Sequence, residues 1–179
     1  MAQQTETTIR EMLESRDRII KSLVGDSDEL PDSVEENLRS VINDVIDFGA
    51  MGEAALGRHW SKLTADQQAE FVTTFAQIVR AQSLASLDVY RSSVSYEEIA
   101  VNGTDARVVT TTVYKDIPTS VEYDLRLTGD EWVATDIIID EVSTVGGYAR
   151  SFQSVIRKKG FDELMKKLYD KLEEVESAD

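Results

Sequence analysis

Apolar and polar residues alternate in the second half of the chain, along residues 120–127 and 132–140. In the first of these runs one face carries Val121, Tyr123, Leu125 and Leu127. A period of two residues is typical of a half-buried antiparallel strand. Turn-forming residues 128–131 separate the two runs, and a helix-like pattern follows the second run. We therefore predict a hairpin that leads into a helix.

A second hairpin is predicted earlier in the chain. Residues 93–96 and 106–114 are rich in β-branched side chains, and the turn 102–105 between them begins with Asn102-Gly103. An Asn-Gly pair between two such runs is a strong hairpin signal. The two hairpins together predict four antiparallel strands.

Helical periodicity covers most of the remaining chain. Apolar residues recur at spacings of three and four in residues 5–24, 33–48, 64–90, 145–158 and 161–174. Ser33 with Glu36, and Thr64 with Gln67, have the spacing of capping boxes that begin helices. Short or kinked helical turns are expected among the glycines between residues 49 and 60. These patterns predict an α+β fold.

The composition indicates one soluble domain over residues 1–179, with an N-terminal helix and loop in 1–30 and an acidic tail in 173–179. Hydrophobic residues make up 41% of the 179 residues, which is ordinary for a globular chain. No apolar run approaches the roughly 18 residues that cross a bilayer, and the first residues have neither the basic nor the apolar part of a signal peptide. The absence of cysteine excludes disulfides and thiolate metal sites.

The charge distribution bears on possible partners. A formal charge of −15 argues against nucleic acid, because phosphate binding depends on basic side chains. Residues 149–171 differ from the rest, with seven bases against three acids and a local charge of +4. These bases indicate either the solvated face of a helix or a patch for phosphate headgroups or an acidic partner.

No motif in the sequence predicts catalysis or a metal site. His59 is the only histidine, and nucleophile-elbow and phosphate-loop patterns are absent. Asp136 and Asp140 have the spacing to share one strand face as paired carboxylates, although a solvent-facing strand edge is the preferred interpretation. Gly146 and Gly147 stand at the predicted junction of strand and helix, where we expect them to permit positive φ.

A set of motifs in order along the chain resembles the MlaC family of phospholipid-binding, or toluene-tolerance, proteins. In the first half the motifs are Asp47-Phe48, Leu56-Gly57 with Trp60, Thr64, Gln67, Phe71 and Phe75. In the second half they are Val121, Tyr123, Leu125, Trp132, Asp136, Val142-Ser143, Val145, Tyr148, Phe152 and Gly160-Phe161-Asp162 with Leu164. The chain departs from the family at Gly147-Tyr148-Ala149, where Asn-Tyr-Arg is common, and its arginine is displaced to Arg150.

The resemblance implies a strongly twisted four-stranded antiparallel sheet packed against about six or seven helices that enclose an apolar cavity. It implies a periplasmic phospholipid carrier, without catalysis or a cofactor, whose signal peptide has been removed. Such a carrier is a monomer that holds acyl chains as cargo. Its expected partners are an outer-membrane lipoprotein–porin complex and an inner-membrane ABC transporter with an MCE component, a pathway that maintains outer-membrane lipid asymmetry.

Two sets of site residues are predicted. The residues expected to contact lipid are Phe48, Met51, Phe75, Val79, Val109, Val113, Val121, Tyr123, Leu125, Ile137, Ile139, Val145, Tyr148 and Phe152. The residues expected to contact the headgroup or a docking partner are Arg150, Arg157, Lys158 and Lys159. Two other functions remain open from the residues alone: a small-ligand-binding or enzymatic domain with Asp136 or Tyr123 in its pocket, and a purely structural interaction domain.

Overall fold

The computed structural model describes residues 2–27, 29–84 and 87–177, with side chains described from Thr5 onward. The α-helices among them are α1 (Ala2–Val24), α2 (Asp32–Asn43), α3 (Phe48–Leu56), α4 (Ala65–Gln82), α5 (Asp88–Arg91), α6 (Thr144–Lys159) and α7 (Phe161–Glu176). A 3-10 helix, Gly57–Lys62, follows α3. The strands are β1 (Ser95–Asn102), β2 (Asp105–Tyr114), β3 (Ile117–Thr128), β4 (Glu131–Ile139) and β5 (Val142–Ser143). The predicted α+β class is confirmed.

The sheet has five strands in the order β1-β2-β3-β4-β5, so the prediction of four strands is wrong. The missed strand, β5, has only two residues. A strand of that length is too short for an alternating pattern to show in the sequence. Both predicted hairpins and the four longer strands are confirmed, but β1 covers Ser95–Asn102 instead of residues 93–96. The Asn102-Gly103 turn has Gly103 at φ 64°.

The pairing register decides which side chains share a face of the sheet. Residues directly opposite each other lie on the same face, and Val108 pairs with Tyr123 while Thr110 pairs with Val121. Tyr123 also pairs with Ile137 on the other side. The register between β3 and β4 then shifts by one residue beside Asp124, which leaves one extra residue in β4, as in a β-bulge.

The chain divides into two compact units, which we describe separately. Unit 1 comprises Met1–Ile46 and Ser83–Glu141, and unit 2 comprises Asp47–Gln82 and Val142–Asp179. The single domain over residues 1–179 stays a prediction. In unit 1 helix α1 packs on the sheet, and the core cluster consists of Ile9, Leu13, Ile99, Ala106, Val108, Leu125, Trp132 and Ala134.

Aromatic rings form the centre of unit 2. Phe71 and Phe75 of α4 stack with ring centroids 5.8 Å apart, and the ring of Phe152 in α6 meets both edge to face. Tyr148 lies one helical turn before Phe152, with its ring centroid 4.9 Å from that of Phe75. Helix α3 is joined to α6 by Gln153, whose Nε2 donates to the Ala55 carbonyl oxygen at 3.1 Å.

Of three local helix predictions, one is confirmed and two are wrong. The Thr64–Gln67 capping box is confirmed by reciprocal bonds of 3.0 and 3.2 Å. The Ser33 capping box is wrong, because α2 begins one residue earlier, after Pro31, whose fixed φ suits the start of a helix. The single helix over residues 64–90 is also wrong: α4 ends at Gln82, and residues 85–86 of the predicted helix lie outside the described residues.

The prediction of positive φ at Gly146 and Gly147 is wrong as well. Both glycines lie in the first turn of α6 and are not among the residues with positive φ. The Gly146 backbone N–H donates to Ser143 Oγ at 2.8 Å, so Ser143 caps the helix. The junction between strand and helix is therefore an ordinary capped helix start.

Candidate functional site

A cavity of about 290 Å³ lies within unit 1. One wall is the sheet face that carries Tyr96, Thr110, Thr112, Val121, Tyr123, Ile137 and Ile139. These side chains converge because the register places alternate residues of neighbouring strands on one face. Ile139 is 48% exposed, so this wall reaches solvent at the end of β4.

The opposite wall is helical. Helix α1 contributes Leu13, Arg16, Asp17 and Ile20, whose spacing of three and four residues places them on one helix face. The remaining lining comes from α2, α5 and the segments beside them, through Ile42, Val45, Ile46, Val89, Tyr90 and Val94. The segment after α2 is held against the sheet, because the Ala134 backbone N–H donates to the Val45 carbonyl oxygen at 2.6 Å.

Three of the five hydroxyl-bearing side chains in this lining donate to backbone carbonyl oxygens. Thr110 Oγ1 donates to the Val121 carbonyl oxygen at 2.7 Å, and Thr112 Oγ1 to the Ser93 carbonyl oxygen at 3.3 Å. The Tyr90 hydroxyl donates to the Ser83 carbonyl oxygen at 2.6 Å. These bonds satisfy three hydroxyl groups, and most of the remaining lining residues are aliphatic, so the walls present mainly carbon to the cavity.

The tyrosines of the cavity stay neutral at physiological pH. Burial, reinforced by the charge of Asp17, raises the pKa of Tyr123 to about 12. Burial also raises the pKa of Tyr90 to about 12, with Tyr123 as a lesser cause. The pKa of Tyr96 is raised in the same direction, first by burial and then by Asp17. A general acid or base works best with a pKa near the operating pH, and these phenols are far from it.

The family of the chain follows from a comparison of its sequence with known families. The family described as "MlaC protein" matches residues 14–170. The chain belongs to the MlaC family. The sequence resemblance to that family is therefore confirmed, and the match includes every strand and all of α2 through α6.

Solved structures agree with the fold of this MlaC-family chain. Seven chains of solved structures match it, among them a phospholipid-binding protein from Ralstonia solanacearum that was solved in complex with a phospholipid. That structure has a TM-score of 0.77 and 22% sequence identity, and the alignment covers 95% of this chain and 97% of the other. At this identity the likeness shows the fold. No curated protein was found to match the chain.

Four of the predicted lipid-contact residues lie together in the unit 1 cavity of this MlaC-family chain: Val121, Tyr123, Ile137 and Ile139. Leu125 does not line it and belongs to the neighbouring core, where it is 2% exposed. Whether these residues contact lipid stays a prediction.

The placement of Val109 and Val113 on this face is wrong. Val109 pairs with Glu122, and Val113 pairs with Pro118, so both point to the opposite face of the sheet from Val121. Val113 is 43% exposed there. The inward positions of β2 are instead taken by alanine, valine and two threonines, at Ala106, Val108, Thr110 and Thr112.

The helical members of the predicted set lie in unit 2. Phe75, Tyr148 and Phe152 line a second cavity of about 280 Å³, within α4, α6 and α7. Phe48 and Met51 are buried in α3, and Val79 and Val145 are half-buried. Because the sheet set and the helix set belong to different units, a single cavity bounded by both stays a prediction.

The predicted docking residues lie on α6. Arg150 is exposed, and Arg157, Lys158 and Lys159 occupy the exposed last turn. Cations in the last turn of a helix interact favourably with its dipole. Lys159 Nζ also lies 3.6 Å from Glu163 Oε1. These contacts suit a solvated helix end, and docking at these residues stays a prediction.

The MlaC-family chain shows no assembled catalytic or metal site in its described part. Among those residues there is no group of three or more histidines, cysteines or carboxylates that could hold a metal ion.

The pairing of Asp136 with Asp140 on one strand face is wrong, because Asp140 lies in the turn after β4 with φ 46°. Its Oδ1 accepts the Ser120 backbone N–H at 2.9 Å. No described helix is long and apolar enough to cross a membrane.

The helical wall of the unit 1 cavity was not predicted from the sequence. The signal was present in part, since Leu13 and Ile20 belong to the apolar periodicity of α1. That periodicity predicts a buried face without saying whether the face meets other side chains or an open space. Arg16 and Asp17, being charged, carried no such signal at all.

Proposed function

We propose that this MlaC-family chain is a phospholipid carrier that holds acyl chains in the unit 1 cavity and works as a single lipid-binding domain. The observation that carries the proposal is the apolar cavity of about 290 Å³, lined by alternate residues of four strands and by one face of α1. Family membership supports it, as does a matching fold in a protein described as binding phospholipid.

The size of the cavity suits part of an acyl chain. At roughly 30 Å³ for a methylene-sized group, 290 Å³ corresponds to about ten such groups. Each buried methylene contributes about 0.8 kcal/mol, so filling the cavity contributes about 8 kcal/mol before the entropy of association is subtracted. The volume lies at the lower end of the roughly 300–1,000 Å³ that ligand sites span.

Carrying lipid requires no catalysis and no cofactor. A diacyl lipid leaves a membrane slowly because its methylenes would be exposed to water, and a protein that buries them removes this cost. We place this activity in the periplasm, where a monomeric carrier would move lipid between an outer-membrane lipoprotein–porin complex and an inner-membrane ABC transporter with an MCE component. The pathway would maintain the lipid asymmetry of the outer membrane and toluene tolerance.

Mass spectrometry of organic extracts from the purified protein tests the binding function. We expect co-purified phospholipid near one molecule per protein. A polar metabolite in its place would support a small-ligand-binding or enzymatic domain. An empty protein that also fails to take up phospholipid from vesicles would refute the proposal and leave a structural interaction domain.

The basic end of α6 is the proposed docking surface for the transporter. Reversal of Lys158 and Lys159 to Glu should slow association with the MCE component, because steering by opposite charges acts mainly on the association rate. The difference from the parent should shrink at 0.15 M salt, where charges are screened over about 8 Å. Reversal of Lys115 and Arg126, two exposed bases outside residues 149–171, makes the same charge change elsewhere and is the control. Equal association rates for the parent and both variants at low salt would refute docking at α6.

A further inference from the structure

Two charged side chains of opposite sign line the otherwise uncharged cavity of unit 1. They are Arg16 and Asp17, and they share a helix face with Leu13 and Ile20. The Asp17 side chain is 27% exposed and the Arg16 side chain is half-buried, so the pair lies where the cavity wall meets solvent. A cation and an anion next to each other at the edge of the cavity suit a ligand whose headgroup carries both charges and whose tail is apolar.

Each of the two groups is held in place while keeping capacity for a further bond. Arg16 Nη2 donates to the Val41 carbonyl oxygen at 2.7 Å, which ties α1 to α2. A guanidinium has five N–H donors, so this bond uses only part of its capacity. Asp17 Oδ2 lies 2.8 Å from Lys21 Nζ, one helical turn away. A carboxylate accepts about four hydrogen bonds, so that ion pair likewise leaves capacity for a ligand.

The charge of unit 1 favours a ligand without net negative charge. The sequence of unit 1 contains 23 aspartates and glutamates against 9 lysines and arginines, a formal charge of −14 out of −15 for the whole chain. A field of this sign raises the free energy of an anionic headgroup close to the surface. A zwitterionic headgroup avoids that cost, since its ammonium group is attracted by the same field.

We infer that Arg16 and Asp17 form a headgroup site selective for zwitterionic phospholipid, with the phosphate on the Arg16 guanidinium and the ammonium on the Asp17 carboxylate. This inference rests on the proposed function, because the acyl chains must enter the cavity for the headgroup to reach its rim. The two residues have separate roles. Arg16 binds the phosphate that all phospholipids share, and Asp17 distinguishes an ammonium from an uncharged glycerol.

A competition between two lipids separates these roles. The purified protein is incubated at low salt with excess vesicles of equimolar phosphatidylethanolamine and phosphatidylglycerol, and the bound lipids are counted by mass spectrometry. We expect the parent to carry several times more phosphatidylethanolamine. Asp17→Asn should bring the ratio close to one, whereas Arg16→Gln should lower the uptake of both lipids about tenfold, the effect of losing a charge-assisted hydrogen bond, with little change in their ratio.

Matched variants on the solvent side of α1 are the controls. Glu11→Gln and Arg18→Gln remove the same charges from exposed positions of the same helix, and both should behave as the parent. Arg16→Lys keeps the positive charge and should retain most of the uptake. Circular dichroism and cooperative melting check the fold. If Arg16→Gln fails to fold, the ratio of bound phosphatidylethanolamine to phosphatidylglycerol in Asp17→Asn still tests the headgroup site.

The outcomes distinguish this inference from the function on which it rests. Phospholipid bound by the parent without preference, a parent-like ratio in Asp17→Asn, or an equal shift in Glu11→Gln would overturn the headgroup site and leave the carrier function intact. Arg16 and Asp17 would then only join α1 to α2 and stabilise α1. Failure of the parent to bind any phospholipid would overturn both.

Discussion

Filling the unit 1 cavity with a larger side chain should weaken lipid binding without unfolding the protein. Val121 is the position of choice, because it lines the cavity from the middle of the sheet, paired with Thr110 on one side and Ile139 on the other. Val121→Trp directs an indole ring into open space. Enlarging a side chain in a filled core usually costs about 1–3 kcal/mol, and an existing cavity should avoid most of that cost.

The size of the effect follows from the space that the ring takes. An indole in place of an isopropyl group occupies on the order of 90 Å³ more, or about three methylene-sized groups. The cavity is about 290 Å³, so close to a third of it is lost. At about 0.8 kcal/mol for each methylene, the acyl chain loses about 2.4 kcal/mol of burial, which is roughly 50-fold in affinity.

Displacement of a fluorescent phospholipid measures this affinity, and thermal melting checks the fold. Val113→Trp is the matched control, since it makes the same change on the adjacent strand but on the opposite, exposed face. We expect Val113→Trp to bind as the parent does. Parent-like affinity in Val121→Trp, or an equal loss in Val113→Trp, would show that lipid does not occupy the space in front of Val121.

Two further predictions concern stability. Tyr90 and Tyr123 have pKa values of about 12 in the folded state, above the value near 10 of an unfolded chain. The stability that they contribute is therefore complete below pH 10 and is lost as the pH rises to 12, by about 1.4 kcal/mol per pH unit for each phenol. Urea unfolding at a series of pH values should show this fall of the free energy of unfolding with pH, and a shallower fall in Tyr123→Phe. Identical slopes in the parent and the variant would contradict the prediction. Gly147→Ala should raise the free energy of unfolding by up to about 1 kcal/mol, since alanine favours helix and the new Cβ meets nothing within 4 Å. Gly146→Ala should raise the free energy of unfolding by less, because its Cβ would lie 3.2 Å from Ser143 Oγ. An equal increase in the two variants would refute this reasoning.

The sequence by itself determined the family and most of the secondary structure. Alternation with a period of two residues identified β3 and β4, β-branched residues identified β1 and β2, and an Asn-Gly turn identified the first hairpin, because these signals are local. The Thr64–Gln67 capping box was found for the same reason. Motifs in a fixed order along the chain identified the family. Local patterns were insufficient at β5, which is too short to have a period.

The tertiary structure alone decided which face of β2 turns toward the cavity. Both faces of that strand are plausible from the sequence, since one carries Val109 and Val113 and the other carries Val108. The choice comes from pairing with β3, which sets Val108 beside Tyr123. A shift of one residue would exchange the two faces, and no residue of β2 alone encodes that register.

The position of Arg16 and Asp17 at the cavity rim likewise could not be predicted from the sequence. Arg16 and Asp17 are ordinary residues in an acidic amphipathic helix, and helical periodicity assigns charged positions to solvent. They reach the cavity because α1 packs on the sheet and bonds to α2 through the Val41 carbonyl oxygen. An open space is a property of several elements packed together, so its lining, its volume and the charges at its rim are set by distant parts of the chain that no local pattern connects.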